Sequence, residues 1–91
     1  MKIVWYDNKN RENIRKHNVS FEEAETVFYD PNGKLINDPE HSDNEDRFII
    51  LGLSKKLRLL VVCHCYREND EVIRIITARK ATKKETIVYG G

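Results

Sequence analysis

The chain of 91 residues has no apolar run approaching the ~20 residues that a membrane-spanning helix needs. Its opening MKIVWYDNKN lacks the apolar core of a secretory signal, so the cytoplasm is the expected setting. No repeat or low-complexity segment appears, and the length leaves no room for a second core, so residues 1–91 are expected to form a single domain whose modest core is helped by a partner or a second copy. A formal net charge of only +1 gives no sign by itself of a polyanionic partner. There are two cysteines and no recognisable Cys/His cluster, which argues against a zinc site and a disulfide framework alike. Charged residues, at 34%, exceed the globular average of about 25%, yet Val, Ile and Leu are too numerous for a disordered chain.

The small net charge conceals segregation. Residues 1–53 hold seven Lys/Arg against eleven Asp/Glu, a balance of −4, whereas residues 54–91 hold nine against four, a balance of +5. A basic C-terminal part is a hint of nucleic-acid contact.

Residues 2–6 (KIVWY) have strand composition, and Asp7 offers an N-cap for a polar helix over about 8–17, with Asn18 as its left-handed stop. Ser20-Phe21-Glu22-Glu23 has the form of a capping box, in which the hydroxyl bonds the Glu23 amide and the carboxylate reaches back. Phe21, Ala24, Val27 and Phe28 then recur at helical spacing, and Asp30-Pro31-Asn32-Gly33 reads as a turn. After a short strand near 34–37 and a polar loop over 38–46, FIILGL, LRLLVVCHCY and EVIRIITAR are separated by hairpin-length intervals. The pattern predicts an α+β fold: a small antiparallel sheet with N-terminal helices packed on it, and a short C-terminal helix opened by the capping box Thr82-Lys83-Lys84-Glu85.

In LLVVCHCY, alternation puts Cys63 and Cys65 on one face and His64 and Tyr66 on the other. Cysteines at i and i+2 of a strand stand roughly 6.5–7 Å apart at Cα, near the limit for a disulfide, so both are expected in the core. If 54–57 is a tight turn and 67–71 a five-residue loop, His64 faces Arg47 on one side and Arg74 on the other. An imidazole between guanidinium groups on an open face suits phosphate chemistry, while the simpler alternative is a histidine satisfied by its cross-strand neighbours. Arg79, Lys80, Lys83 and Lys84 converge on the start of the last helix, whose dipole also favours an anion. Tyr89 projects from that helix.

Three stretches, WYDNKNRENIRKHNVSFEEAETVFYDP, EDRFIILGLS with LRLLVVCHCY, and IRIITARKATKKE, resemble the BrnT-type toxins of bacterial type II toxin–antitoxin systems. The most specific parts are Trp5, Asp7, Asn8, Lys9 and Asn10 at the start and Arg74 to Thr82 near the end. The resemblance implies a RelE-like fold, metal-independent cleavage of RNA that inhibits translation, and no cofactor. It also implies a DNA-binding, BrnA-like antitoxin that joins the toxin in repressing their operon, with a toxin homodimer inside a heterotetramer as one possible assembly. The family's basic and polar positions fall on Arg47, His64, Arg67, Arg74, Arg79 and Lys80, with Tyr89 as a further match.

The expected chemistry is attack by the RNA's own 2′-hydroxyl on the adjacent phosphate. The catalytic candidates are His64 as acid or base, Arg74 and Arg79 as charge stabilisers, and Tyr89; Arg47, Arg67, Lys80 and Lys83 would position the backbone, and Glu68 is an alternative base. Two other readings stay open: a same-fold toxin that binds a protein target such as gyrase, and a non-enzymatic module that holds an antitoxin.

Overall fold

The computed structural model describes residues 1–37 and 47–90. Along the chain these form β1 (Lys2–Val4), α1 (Asp7–His17), α2 (Phe21–Thr26), a 3-10 turn (Val27–Tyr29), β2 (Lys34–Asn37), β3 (Arg47–Leu53), β4 (Leu59–Arg67), β5 (Val72–Lys80) and α3 (Lys83–Gly90). The expected polar loop 38–46 lies outside the described residues.

Local chemistry explains most boundaries. Asn18 stops α1 in the left-handed region, with φ 56° and ψ 35°. The helix begins one residue earlier than expected: Tyr6 holds the N-cap position without a side-chain hydrogen bond, and Asp7 enters the first turn, where its charge suits the helix dipole. Ser20 caps α2, its Oγ accepting from the Glu23 amide at 3.0 Å. The other half of that expected capping box does not form. The Glu23 carboxylate is buried and instead accepts from Ser54 Oγ at 2.7 Å, from Arg58 Nε at 2.9 Å and from Arg58 Nη2, tying α2 to the β3–β4 turn. At α3 the box is complete, with Glu85 N donating to Thr82 Oγ1 at 3.2 Å and Thr82 N to Glu85 Oε1 at 2.8 Å.

The sheet order is β1-β5-β4-β3-β2. Strands β2 to β5 form the expected antiparallel meander, but β1 lies parallel to β5, so the sheet is mixed rather than antiparallel throughout. A parallel partner arrives by a long crossover, which hairpin spacing cannot reveal. β1 is paired only as far as Val4, opposite Arg74. Farther along β5, the Asn13 side chain of α1 stands in for a strand, donating to the Ala78 carbonyl at 2.8 Å and accepting from the Ala78 N–H at 3.1 Å, and so closes an edge that would otherwise be open to pairing.

The helices α1 and α2 cover one face. Val19, Phe21, Ala24 and Val27 pack there against Ile50, Leu60, Val62, Ile75 and Ala78. Gly52 permits the close approach of the 3-10 turn to β3, since a Cβ at that position would lie 2.8 Å from Val27 Cγ1. Across the other face runs α3, tied at its start to Arg79 of β5. At its end, Lys34 Nζ donates to the Val88 carbonyl at 2.6 Å and Tyr89 Oη to Asp30 Oδ2 at 2.6 Å.

Candidate functional site

Two turn lengths decide what each face of the sheet presents. The β3–β4 connection has five residues, 54–58, with Ser54 N donating to the Arg58 carbonyl at 2.9 Å and Leu57 at a φ of 63°. The β4–β5 connection has four, 68–71, and carries Glu68, Asn69 and Asp70 at φ of 53°, 57° and 68°. Each differs by one residue from the expected turn, and each register slips by one: His64 opposes Phe48 and Ile75, while Arg47 and Arg74 both oppose Cys65. A slip of one residue exchanges the faces.

His64 is therefore corrected from an open-face acid or base to a core residue, with 0% exposure on the helix-covered face. Its ring lies 4.8 Å from Phe28, 5.5 Å from Tyr66 and 6.3 Å from Phe48, centroid to centroid. Its Nδ1 is 3.1 Å from the Val62 carbonyl oxygen, which only accepts, so Nδ1 carries the hydrogen. Burial lowers the imidazole pKa, opposed in part by that bond. A side chain without solvent contact cannot reach an RNA phosphate. Cys63 and Cys65 do share the opposite face, both buried and not joined in a disulfide, and that face is the one bearing the arginines.

An irregularity in β5 brings the arginines together. Cys63 pairs with Thr77 and His64 with Ile75, leaving Ile76 as an extra residue in β5. Strict alternation would put Arg74 and Arg79 on opposite faces. With Ile76 inserted, Arg74 opposite Cys65 and Arg79 opposite Val61 lie on one face with Arg47. Arg67, two residues beyond Cys65, shares that face and is exposed. Lys80 pairs with the core residue Leu60, on the helix-covered side, and so stands apart from the group; Lys83 is exposed at the first residue of α3. Glu68 is exposed in the β4–β5 turn.

Electrostatics separates these groups further. Arg79 engages both Glu85 oxygens, at 2.8 and 2.9 Å, and chiefly for that reason the Glu85 carboxyl is pushed down to about 2. Tyr89 gives its hydroxyl to Asp30, which also accepts the Leu53 N–H at 2.7 Å. The Leu53 bond first and the Tyr89 bond second lower the Asp30 pKa, and the Asp30 bond raises that of Tyr89. Leu53 is at the far end of β3 from Arg47, so Tyr89 anchors the last turn of α3 away from the Arg47–Cys65–Arg74 row.

The row itself has chemical reach. Residues two strands apart are roughly 10 Å apart at Cα, a gap that two arginine side chains close, and guanidinium forks match phosphate oxygens. One neighbour had no sequence signal: Tyr6, 54% exposed, whose ring centroid lies 5.4 Å from Arg74 Cζ. Among the described residues, no cluster of three or more His, Cys, Asp or Glu is placed to hold a metal.

These features define a class, a small α+β protein with an arginine-lined sheet face suited to a polyanion. A family profile described as "Ribonuclease toxin, BrnT, of type II toxin-antitoxin system" matches residues 5–85, and the chain belongs to that family. The crystal structure of the Brucella abortus ribonuclease toxin BrnT is similar to it, with a TM-score of 0.68 and 26% identity over 91% of this chain and 99% of that one. No curated protein matches the chain in sequence. Family membership makes the protein a toxin of the ribonuclease type and implies an RNA target and an antitoxin partner.

Proposed function

We propose that the chain is an endoribonuclease that cuts RNA without a metal and thereby inhibits translation in the cytoplasm. In this reading a 2′-hydroxyl of the RNA attacks the adjacent phosphorus and the bond to the 5′-oxygen breaks, leaving a 2′,3′-cyclic phosphate and a 5′-hydroxyl. The observation that carries the reading is the pair Arg47 and Arg74 on either side of Cys65, with Arg67 and Arg79 on the same face.

The phosphorane formed on attack gains negative charge, and cations fixed beforehand stabilise it more than they stabilise the starting diester. Arg47 and Arg74 take that role. Arg67 and Lys83 contact flanking phosphates, and Arg79 joins them from its place beside Glu85. In this reading the 2′-hydroxyl gives its proton to solvent and the leaving 5′-oxygen takes one from solvent. Tyr89 acts only by holding α3, and His64 and Lys80 have no contact with substrate. A mixed sheet with helices on one side and a terminal helix on the other supports kinship with RelE-like folds. A BrnA-like antitoxin would neutralise the toxin by covering the arginine face.

Purified protein incubated with an RNA oligonucleotide in EDTA is expected to yield cyclic-phosphate and 5′-hydroxyl ends. Arg74→Ala should slow cleavage by about 10²–10³-fold, the size of losing one transition-state donor, with an unchanged circular dichroism spectrum. Cleavage that stops in EDTA and returns with added metal would rule out this mechanism.

A further inference from the structure

Trp5 and Tyr6 are adjacent aromatics with opposite fates. The Trp5 ring turns inward, edge-on to Phe21 at 6.1 Å. Tyr6 turns to the arginine face, where Arg74 lies over its ring and half of the side chain stays in solvent. It makes no side-chain cap for α1, and its contact with the partly buried Arg74 is a single cation–π pair, a modest contribution to stability. Packing and capping therefore give little reason for an aromatic ring here. Its location does: Val4 continues the cross-strand row Arg47–Cys65–Arg74, and Tyr6 follows two residues later at the end of that row.

We infer that Tyr6 is a stacking platform for the nucleobase next to the phosphate held by Arg47 and Arg74, which makes single-stranded RNA the substrate class. This rests on the ribonuclease reading above. The 5.4 Å between the Arg74 guanidinium carbon and the Tyr6 ring centroid is short enough for one nucleotide to engage both. A guanidinium can lie flat on an aromatic ring while its edge donates to a phosphate. Bases become available to aromatic side chains where a strand is unpaired, and a duplex keeps them stacked on one another. Stacking uses the π-face that every base has, so Tyr6 would favour unpaired RNA without choosing a sequence.

A probe that cannot be cut separates this from the chemistry: a single-stranded oligoribonucleotide methylated at every 2′-oxygen and carrying one 2-aminopurine. Wild-type protein and Tyr6→Phe should bind it and quench the fluorescence of the 2-aminopurine. Tyr6→Leu should not quench, and its Kd should rise about tenfold, the lower part of the range for losing one base–aromatic stack. The same strand annealed to its complement should bind wild-type protein less tightly. Quenching and affinity in Tyr6→Leu equal to wild type overturn the inference. Should that variant not fold, photo-crosslinking of wild-type protein to a 5-iodouridine strand gives a second readout: a crosslink at Tyr6 supports the platform, and crosslinks only elsewhere overturn it. Quenching by a protein that leaves an unmodified strand intact removes the nuclease reading but keeps the stacking; cleavage indifferent to residue 6 does the reverse.

Discussion

On the face beneath α1 and α2, β4 contributes Leu60, Val62 and His64, each fully buried, and Phe21 and Ala24 of α2 answer together with Val19 before it and Val27 after it. On the other face the same strand contributes Val61, Cys63, Cys65 and then Arg67, flanked in neighbouring strands by Arg47, Arg74 and Arg79. A charge buried on the first side is held by partners, as with Glu23 bonded by Arg58 and Ser54. The second carries arginines that are partly or fully exposed. Burial decides the stability of one face, and charge decides the work proposed for the other.

The sharpest way to break this comparison is to truncate one residue on each side. Phe21→Ala removes a fully buried ring and should lower unfolding free energy by about 3–5 kcal/mol, a large part of the roughly 5–10 kcal/mol available to a domain this small. Arg47→Ala should change stability by less than about 1 kcal/mol, as for other partly exposed charges, while weakening RNA binding. Urea titrations of both variants beside a binding assay test the division. Equal destabilisation by the two would show that the arginine face is structural as well.

How much of this was legible beforehand depends on the residue. Helix starts and stops were readable because Ser20, Asn18 and Thr82 act on their own neighbours. The family resemblance was carried by motifs at both ends of the chain, and the profile match spans them. The faces were not readable: both alternating sets of β4 are apolar, and turn lengths wrong by one residue moved His64 from the surface to the core. Nothing in EVIRIITAR marks Ile76 as an extra residue, yet it is what brings Arg74 and Arg79 to one side. Nor did Tyr6 announce itself, because the role inferred for it depends on Arg74, which lies far along the chain and next to it only through the parallel pairing of β1 with β5.

The two acidic anchors offer a second, smaller contrast. Glu23 is 3% exposed and joins α2 to the β3–β4 turn. Removing it by Glu23→Ala leaves the Arg58 guanidinium and the Ser54 hydroxyl without their acceptor, and should destabilise the whole domain by about 1–3 kcal/mol. Glu85 joins the start of α3 to Arg79. Glu85→Ala should release mainly α3, which buries no residue of its own. Amide hydrogen exchange distinguishes them: faster exchange throughout the sheet in the first variant, faster exchange confined to α3 in the second. Sheet-wide exchange in Glu85→Ala would mean that α3 is part of the cooperative core.

The smallest effect expected is a pH dependence, and it too divides the faces. Burial lowers the folded pKa of His64 below its ordinary value of 6.5, so as pH falls through about 6.5 the unfolded chain takes up a proton that the folded one resists. Stability should therefore be level above that pH and decline below it. Glu85 acts in a lower window: with its folded pKa at about 2 against an ordinary value of 4.5, its contribution is complete above 4.5 and is lost as pH falls from there toward 2. Replacing the imidazole by a ring that cannot titrate, His64→Phe, keeps the aromatic contacts with Phe28, Phe48 and Tyr66. It should abolish the decline that begins near pH 6.5 while leaving the decline below 4.5. Thermal midpoints measured across pH 3–8 read both windows, and an unchanged upper decline in His64→Phe would assign that titration to a different group.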